Sequence, residues 1–348
     1  MNPLDTCSSF MTAYCKGAES RTVDAEHLGR MLKAPGVKEL VASVHDTDLG
    51  RYLEEHPPGG FDEADESLWR YLAGCFGALE RLTRFPAEMR EILAAWLLKY
   101  DLANVMAALR GLGTGRTARM IPLGGLSAKG ALEALAAAPD ADTIAAIVAE
   151  CRLAVFAAPL AAWQAATDGA GRLAAEGGLS KACLRELATV ARKFGRGGPL
   201  DRAAGLLIDC ANLQLAFRAA IGNLGPTAAN AAVEGGVSIS PDLARELAAM
   251  KVAEIPARIA NTPHAAAAAE ITAQWSRSSS AAAVEDVLCR HRLALLREAL
   301  AMRLLSPVLI AWYAALKEAE TRNVRLLLKA KFDELPEERV RESLAPPW

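Results

Sequence analysis

The ten residues DLANVMAALR that begin at Asp101 return as DCANLQLAFR from Asp209 and as ETRNVRLLLK from Glu320. Each window reads acid, two variable positions, Asn, an aliphatic residue, three variable positions, an apolar residue, then Arg or Lys. The asparagines are Asn104, Asn212 and Asn323, separated by 108 and 111 residues. A second set runs in register: LVASVHDTDL, IAAIVAECRL and IPARIANTPH begin at Leu40, Ile144 and Ile255. They place Thr47, Cys151 and Thr262 at 57, 61 and 61 residues before the respective asparagines. GGLS from Gly124 and GGVS from Gly235 lie 111 apart, and Pro86, Pro199 and Pro307 precede the asparagines by 18, 13 and 16 residues. Four sets in one order at nearly one spacing mean that the chain repeats itself. A period of about 110 residues is too long for a solenoid unit and is the size of a small domain. The expected organisation is therefore three helical repeats, 1–122, 123–233 and 234–348. Turn-rich segments, GLGTGRTARMIPLGG and IGNLGPTAANAAVEGG, stand at the joints.

Composition selects the kind of domain. Of 348 residues, 52% are hydrophobic but only 5% aromatic, the excess being Ala and Leu. These residues, with Arg, Glu and Lys, are the strongest helix formers, and β-branched clusters are scarce. EMREILAAWLLKY and LALLREALAMRLL carry apolar residues at helical spacing, and no segment reads as a strand. The expected fold is all-α, each repeat starting a helix near its proline, since proline suits a first helical turn. FDELPEERVRESL supplies a last helix, with Pro336 early and acids in its first turn. Inside apolar helices the motif polar groups need partners, because burial without one costs roughly 2–7 kcal/mol. Each Asn is expected to hydrogen-bond backbone groups of an adjoining helix and fix its register. The flanking acids Asp101, Asp209 and Glu320 and bases Arg110, Arg218 and Lys329 are expected on other faces, open to solvent, another repeat or a partner.

Most chemistry is disfavoured. A net charge of −2 gives no global attraction to nucleic acid, and no recognition motif for it occurs. The seven cysteines, Cys7, Cys15, Cys75, Cys151, Cys183, Cys210 and Cys289, form no CxxC and read as small core residues of a reducing compartment. The N-terminus lacks a secretory pattern. The longest uncharged apolar stretch, Leu304–Leu316, is thirteen residues broken by Pro307, short of the roughly 20 that span a bilayer. The reading is a soluble protein without a transmembrane segment of its own. GLGTG from Gly111 follows a helix rather than a strand and lacks the GK[ST] ending, so it reads as a helix end and linker. His27, His45, His56, His264 and His291 show no metal spacing and read as exposed or locally bonded, and DEADE (Asp62–Glu66) as a solvated loop before a helix. With no DDxxD, GxSxG or Cys–His arrangement, no catalytic residue, cofactor or metal is expected. Arg322, Arg325 and Lys329 share one helix face at i, i+3, i+7. They form either a solvated face, with Glu318 pairing Arg322, or a stripe for an acidic surface or lipid head groups.

KEAETRNVRLLLKAKFDELPEERVRESL, Lys317–Leu344, resembles the closing motif of the C subunit of the V/A-type ATPases, equivalent to the d subunit of the vacuolar enzyme. Glu320, Asn323, Arg325, Lys329, Lys331, Pro336, Glu338 and Leu344 follow that motif in order, and KYDLANVMAALRG with IPLGG is similar to its first-repeat motif. YCKGAESRT, with only Lys16 and Arg21, departs from the Arg-rich N-terminal pattern. The resemblance implies three similar helical domains arranged as a funnel, and a non-catalytic rotor subunit. It implies a cavity that receives the central stalk, of D/F type, and a face resting on the membrane rotor ring. ATP chemistry would belong to other subunits of the complex, and the protein would be cytoplasmic and peripheral to the membrane. Two other readings stay open: an all-helical scaffold with unrelated partners, and an all-α enzyme with a site between repeats.

Overall fold

The computed structural model describes residues 3–82, 85–112, 119–301 and 304–345. The protein is all-α, and no strand occurs among the described residues. Contacts divide the chain into two units, Met1–Arg90 with Arg277–Trp348, and Glu91–Ser276. In chain order the first helices are α1 (Pro3–Glu19), α2 (Ala25–Lys33), α3 (Val37–Ala42), α4 (Asp48–Glu55), α5 (Phe61–Glu80) and α6 (Ala87–Leu112). Then come α7 (Gly125–Ala128), α8 (Leu132–Ala136), α9 (Ala141–Glu150), α10 (Ala157–Ala165), α11 (Gly169–Lys193) and α12 (Pro199–Ile221). The last are α13 (Pro241–Ala248), α14 (Ile255–Arg258), α15 (Ala265–Ser278), α16 (Ala282–Leu300), α17 (Leu309–Phe332) and α18 (Glu337–Ser343). The long helices α6, α12 and α17 carry the three Asn motifs. They start at Ala87, Pro199 and Leu309, at or within two residues of the spaced prolines.

The first unit is built on α17, whose apolar opening turns, Leu309–Leu316, are buried on every face, and which from there to Ala330 exposes only Arg325 and Lys329. Val324, Leu327 and Leu328 join one core with Leu28, Met31, Leu40, Leu49, Leu53 and Leu68. Short helices close this core because each has its own start signal. Asp24 and His27 form a capping box on α2, and Thr47 caps α4 through the Gly50 N–H. DEADE is not a loop: it lies within the first turns of α5, where Asp65 is buried and paired with Arg325. An acid three or four positions into an amphipathic helix falls on its inward face as readily as its outward one.

In the second unit Leu98, Val105, Leu109, Ile144, Phe156, Leu160 and Leu179 form one core. α9, α11 and α13 start at Asp140, Asp168 and Ser240, whose side chains accept from the Thr143, Gly171 and Leu243 N–H groups. α6 and α12 are long and apolar enough to cross a membrane by length and composition, and both bury most of that stretch inside the protein. Residues 113–118 of the GLGTG segment lie outside the described residues.

Gly50 is the most closely approached of the described glycines in the first unit. A Cβ there would stand 1.8 Å from the Val44 carbonyl oxygen. Gly50→Ala is expected to lower unfolding stability by about 2–4 kcal/mol, because backbone must move to admit the methyl group. Gly29→Ala, in α2 with nothing within 4 Å of its Cβ, is the control and should stabilise slightly. Denaturant melts of both variants check this.

Candidate functional site

All three motif asparagines are buried, at 1%, 0% and 3% exposure for Asn104, Asn212 and Asn323. Each makes the same reciprocal bond with one backbone residue. Asn104 Nδ2 donates to the Ile121 carbonyl at 2.9 Å while its Oδ1 accepts the Ile121 N–H at 2.7 Å. Asn212 does so with Val233, at 2.8 and 2.7 Å, and also donates to the Ile239 carbonyl at 2.8 Å. Asn323 does so with Ala345, at 3.1 and 2.9 Å. The planar amide offers a donor and an acceptor side by side, as a neighbouring strand would, and only Asn and Gln can do this. The partners are not on an adjoining helix. Ile121, Val233, Ile239 and Ala345 lie in non-helical connections, whose backbone has no internal ladder and must find partners elsewhere.

The acids are buried too, not turned to solvent. Acid and Asn are three residues apart, so they share a helix face. Asp101 Oδ2 and Oδ1 accept the Gly125 and Leu126 N–H groups, both at 2.8 Å, at the start of α7. Asp209 accepts the Ser238 and Ile239 N–H groups at 2.8 Å, just before α13. The repeated glycine pairs make room for this. Gly124 and Gly235 have φ of +91° and +99°, and a Cβ on Gly124 or Gly236 would collide with the Asp101 or Asp209 carboxylate. Glu320 reaches the other way along the chain, accepting the Val23 N–H at 2.9 Å.

The three carboxylates differ in company. Burial pushes Asp101 up to about 6 against the pull of its two backbone bonds, and no cation contributes to its shift. Asp209 faces His264 Nε2 at 3.1 Å, both side chains fully buried. Glu320 lies 2.9 Å from Lys317 Nζ, which also donates to Tyr71 Oη at 3.0 Å, and Tyr71 donates to Glu320 at 3.2 Å. His264 is therefore neither exposed nor only locally bonded. One signal marks it: it is tenth in its window, where the companion windows carry Leu49 and Leu153. Lys317 and Tyr71 carry no such signal, being outside every window.

The basic positions point outward, nine residues beyond the acid and so half a turn round the helix. Arg110 pairs with Glu176 at 2.6 Å, Lys329 with Asp333 at 2.6 Å, and Arg218 is exposed. The Arg322, Arg325 and Lys329 face is divided in its contacts. Arg322 donates to the Ser343 carbonyl, while Arg325 and Lys329 flank the Phe61 ring at 5.5 and 4.6 Å. Among the described residues no group of three or more His, Cys, Asp or Glu is placed to hold a metal ion.

Residues 11–343 match the family of the ATP synthase (C/AC39) subunit. The chain belongs to this family. Within it, the chain is 26% identical over 125 residues to the C subunit of the A-type ATP synthase of Methanocaldococcus jannaschii. That match covers 34% of this chain and 31% of the archaeal protein. The family is that of a subunit of the V/A-type rotary ATPases, a membrane-associated complex. In this C/AC39 chain the acid and Asn positions of the motif tie down backbone connections.

Two measurements probe this arrangement. Asn212→Leu removes partners from three buried backbone bonds and is expected to cost about 3 kcal/mol or more in denaturant unfolding. Asn212→Asp keeps the shape but loses the donor, and should be no better. For Asp101 the folded pKa is raised, so its contribution is fully present below the unfolded value near 4 and is lost as pH rises through about 6. Relative to Asp101→Asn, the native chain should gain on the order of 2–3 kcal/mol between pH 7 and pH 4. A constant difference across that range would contradict the reading.

Proposed function

We propose that this chain is a non-catalytic rotor subunit of a V/A-type rotary ATPase, joining the central stalk to the membrane rotor ring and passing torque between them. The observation that carries the proposal is the family match, which extends over residues 11–343 rather than over an isolated motif. In this reading the three sequence repeats, 1–122, 123–233 and 234–348, are helical domains set as a funnel around the tip of a D/F-type stalk. The protein works at the cytoplasmic surface of the membrane, while ATP is made or hydrolysed on other subunits.

The Asn motifs support that role physically. A torque-bearing part must not creep, and a connection held by side-chain amides inside a helical core resists sliding better than a solvated loop. Asp101, Asn104, Asp209, Asn212, Glu320 and Asn323 are proposed as these registration points, with no catalytic duty. Arg325 and Lys329, each about half exposed beside Phe61, are the proposed partner-facing part of the basic stripe, and Arg322 supports them through the chain's last turn.

Reconstitution tests the proposal. Added to ATPase membranes stripped of this subunit, the protein should bind the stalk subunits and restore ATP-driven ion uptake. Failure of both would overturn the reading. Arg325→Ala with Lys329→Ala should weaken rebinding several-fold at low salt. The difference should fade toward 0.5 M salt, where the screening length is about 4 Å.

A further inference from the structure

Of the three motif carboxylates, two hold backbone that follows them directly. Asp101 holds residues 24 and 25 positions on, and Asp209 holds residues 29 and 30 positions on. Glu320 instead holds Val23, 297 positions back, at the exit of the N-terminal helix. The first two junctions are crossed by continuous chain. The third is closed by non-covalent contacts alone, within the unit formed by Met1–Arg90 and Arg277–Trp348.

The helix behind that junction is held at few buried apolar positions; polar bonds supplement them, from Leu305 N–H to Thr12 Oγ1 at 3.1 Å and, at its exit, between Arg21 and Asp48 at 2.9 Å. Among its described side chains α1 buries Met11, Cys15 and Ala18, one long and two small, and leaves Phe10 half exposed. Its other ties to α17 are polar or aromatic: Trp312 Nε1 donates to Glu19 at 3.2 Å, Lys16 lies over the Trp312 ring, and Tyr14 and Tyr313 stand 6.3 Å apart. Beyond α1 the unit has a core in which α17 packs with α2–α5, and no described side chain of α1 is among its members. Elements with few buried apolar contacts open locally at a lower free energy than the whole fold. The carboxylate that holds the exit is itself fixed by Lys317 and Tyr71, so the latch sits on the α17 and α5 side.

We propose that α1 is a strap, latched at its C-terminal exit by Glu320, that lifts from α17 while the rest of its unit stays folded. Lifting uncovers the Trp312–Tyr313 face of α17 and the Cys15 thiol, at the one motif junction the chain does not cross.

Cys15 is the reporter, being 2% exposed when the strap is down. Cys183 and Cys210, buried in the second unit, serve as internal references. The full chain is alkylated and each thiol followed peptide by peptide, with amide exchange measured in parallel. In the native chain, Cys15 and the amides of Met11–Ala18 and Val23 should react through an opening with weaker urea dependence than the α17 amides around Leu328. If they exchange only together with α17, the strap does not exist. Lys317→Met with Glu320→Leu removes the latch without stranding a buried charge, and should speed Cys15 alkylation tenfold or more while Cys183 and Cys210 keep their rates. Lys317→Met with Glu320→Gln retains an acceptor for the Val23 N–H and should stay within about threefold of the native rate. Equal rates in the two double variants would show that Glu320 is not the latch. The native-chain comparison stands even if a double variant fails to fold.

Discussion

The reciprocal bond between a buried asparagine and a single backbone residue is the interaction on which the rest of this protein depends. Long helices satisfy their own backbone, but the connections between them do not. Where such a connection must lie inside the fold, each unpaired N–H and C=O costs about 1–3 kcal/mol unless something answers it. Asn104, Asn212 and Asn323 answer both groups of Ile121, Val233 and Ala345 at once. The side chain acts as a one-residue strand in a helical protein. Asp lacks the donor for that duty and Leu lacks both partners.

The carboxylate one turn earlier extends the same device to the next segment. Its three versions show how differently one geometry can be balanced. Asp101 relies on backbone dipoles alone, Asp209 adds an imidazole, and Glu320 adds an ammonium and a phenol. In each case donors fill the carboxylate's lone pairs, which reduces the cost of burying it. Glu320 and Asp209 each have three partners, yet only Glu320 holds a junction that continuous chain does not cross. In the proposed rotor role force would pass through such joints, so where they are bonded bears on that role.

Much of the fold is legible in the residues, and the limits are physical. Helix identity follows from the Ala and Leu content and from periodicity, and the prolines mark the starts of α6, α12 and α17 closely. Repetition finds the Asn positions. It does not find their partners, because Ile121, Val233 and Ala345 lie 17 to 22 residues on, through turns whose path no local propensity dictates. The acids defeat the expectation that a charged residue in a helix turns outward, although their three-residue spacing from the Asn puts both on one face. Asp65, expected in a solvated loop, departs for another reason: the helix already starts at Phe61 and carries it inward.

The sequence alone determined that the chain is helical, that one polar motif is used three times, and that the motif resembles that of the C/AC39 family. The first two are matters of composition and of spacing along the chain, and the third is a likeness of residues to a known motif; all survive without coordinates. Only the tertiary structure decided what the polar groups bind. It placed Val23 on Glu320 across nearly the whole sequence, His264 on Asp209, and Lys317 with Tyr71 in the core. The reason is that a buried hydrogen bond is chosen by proximity in space. Spacing along a chain predicts proximity within a helix and says little about what the connection beyond it brings back.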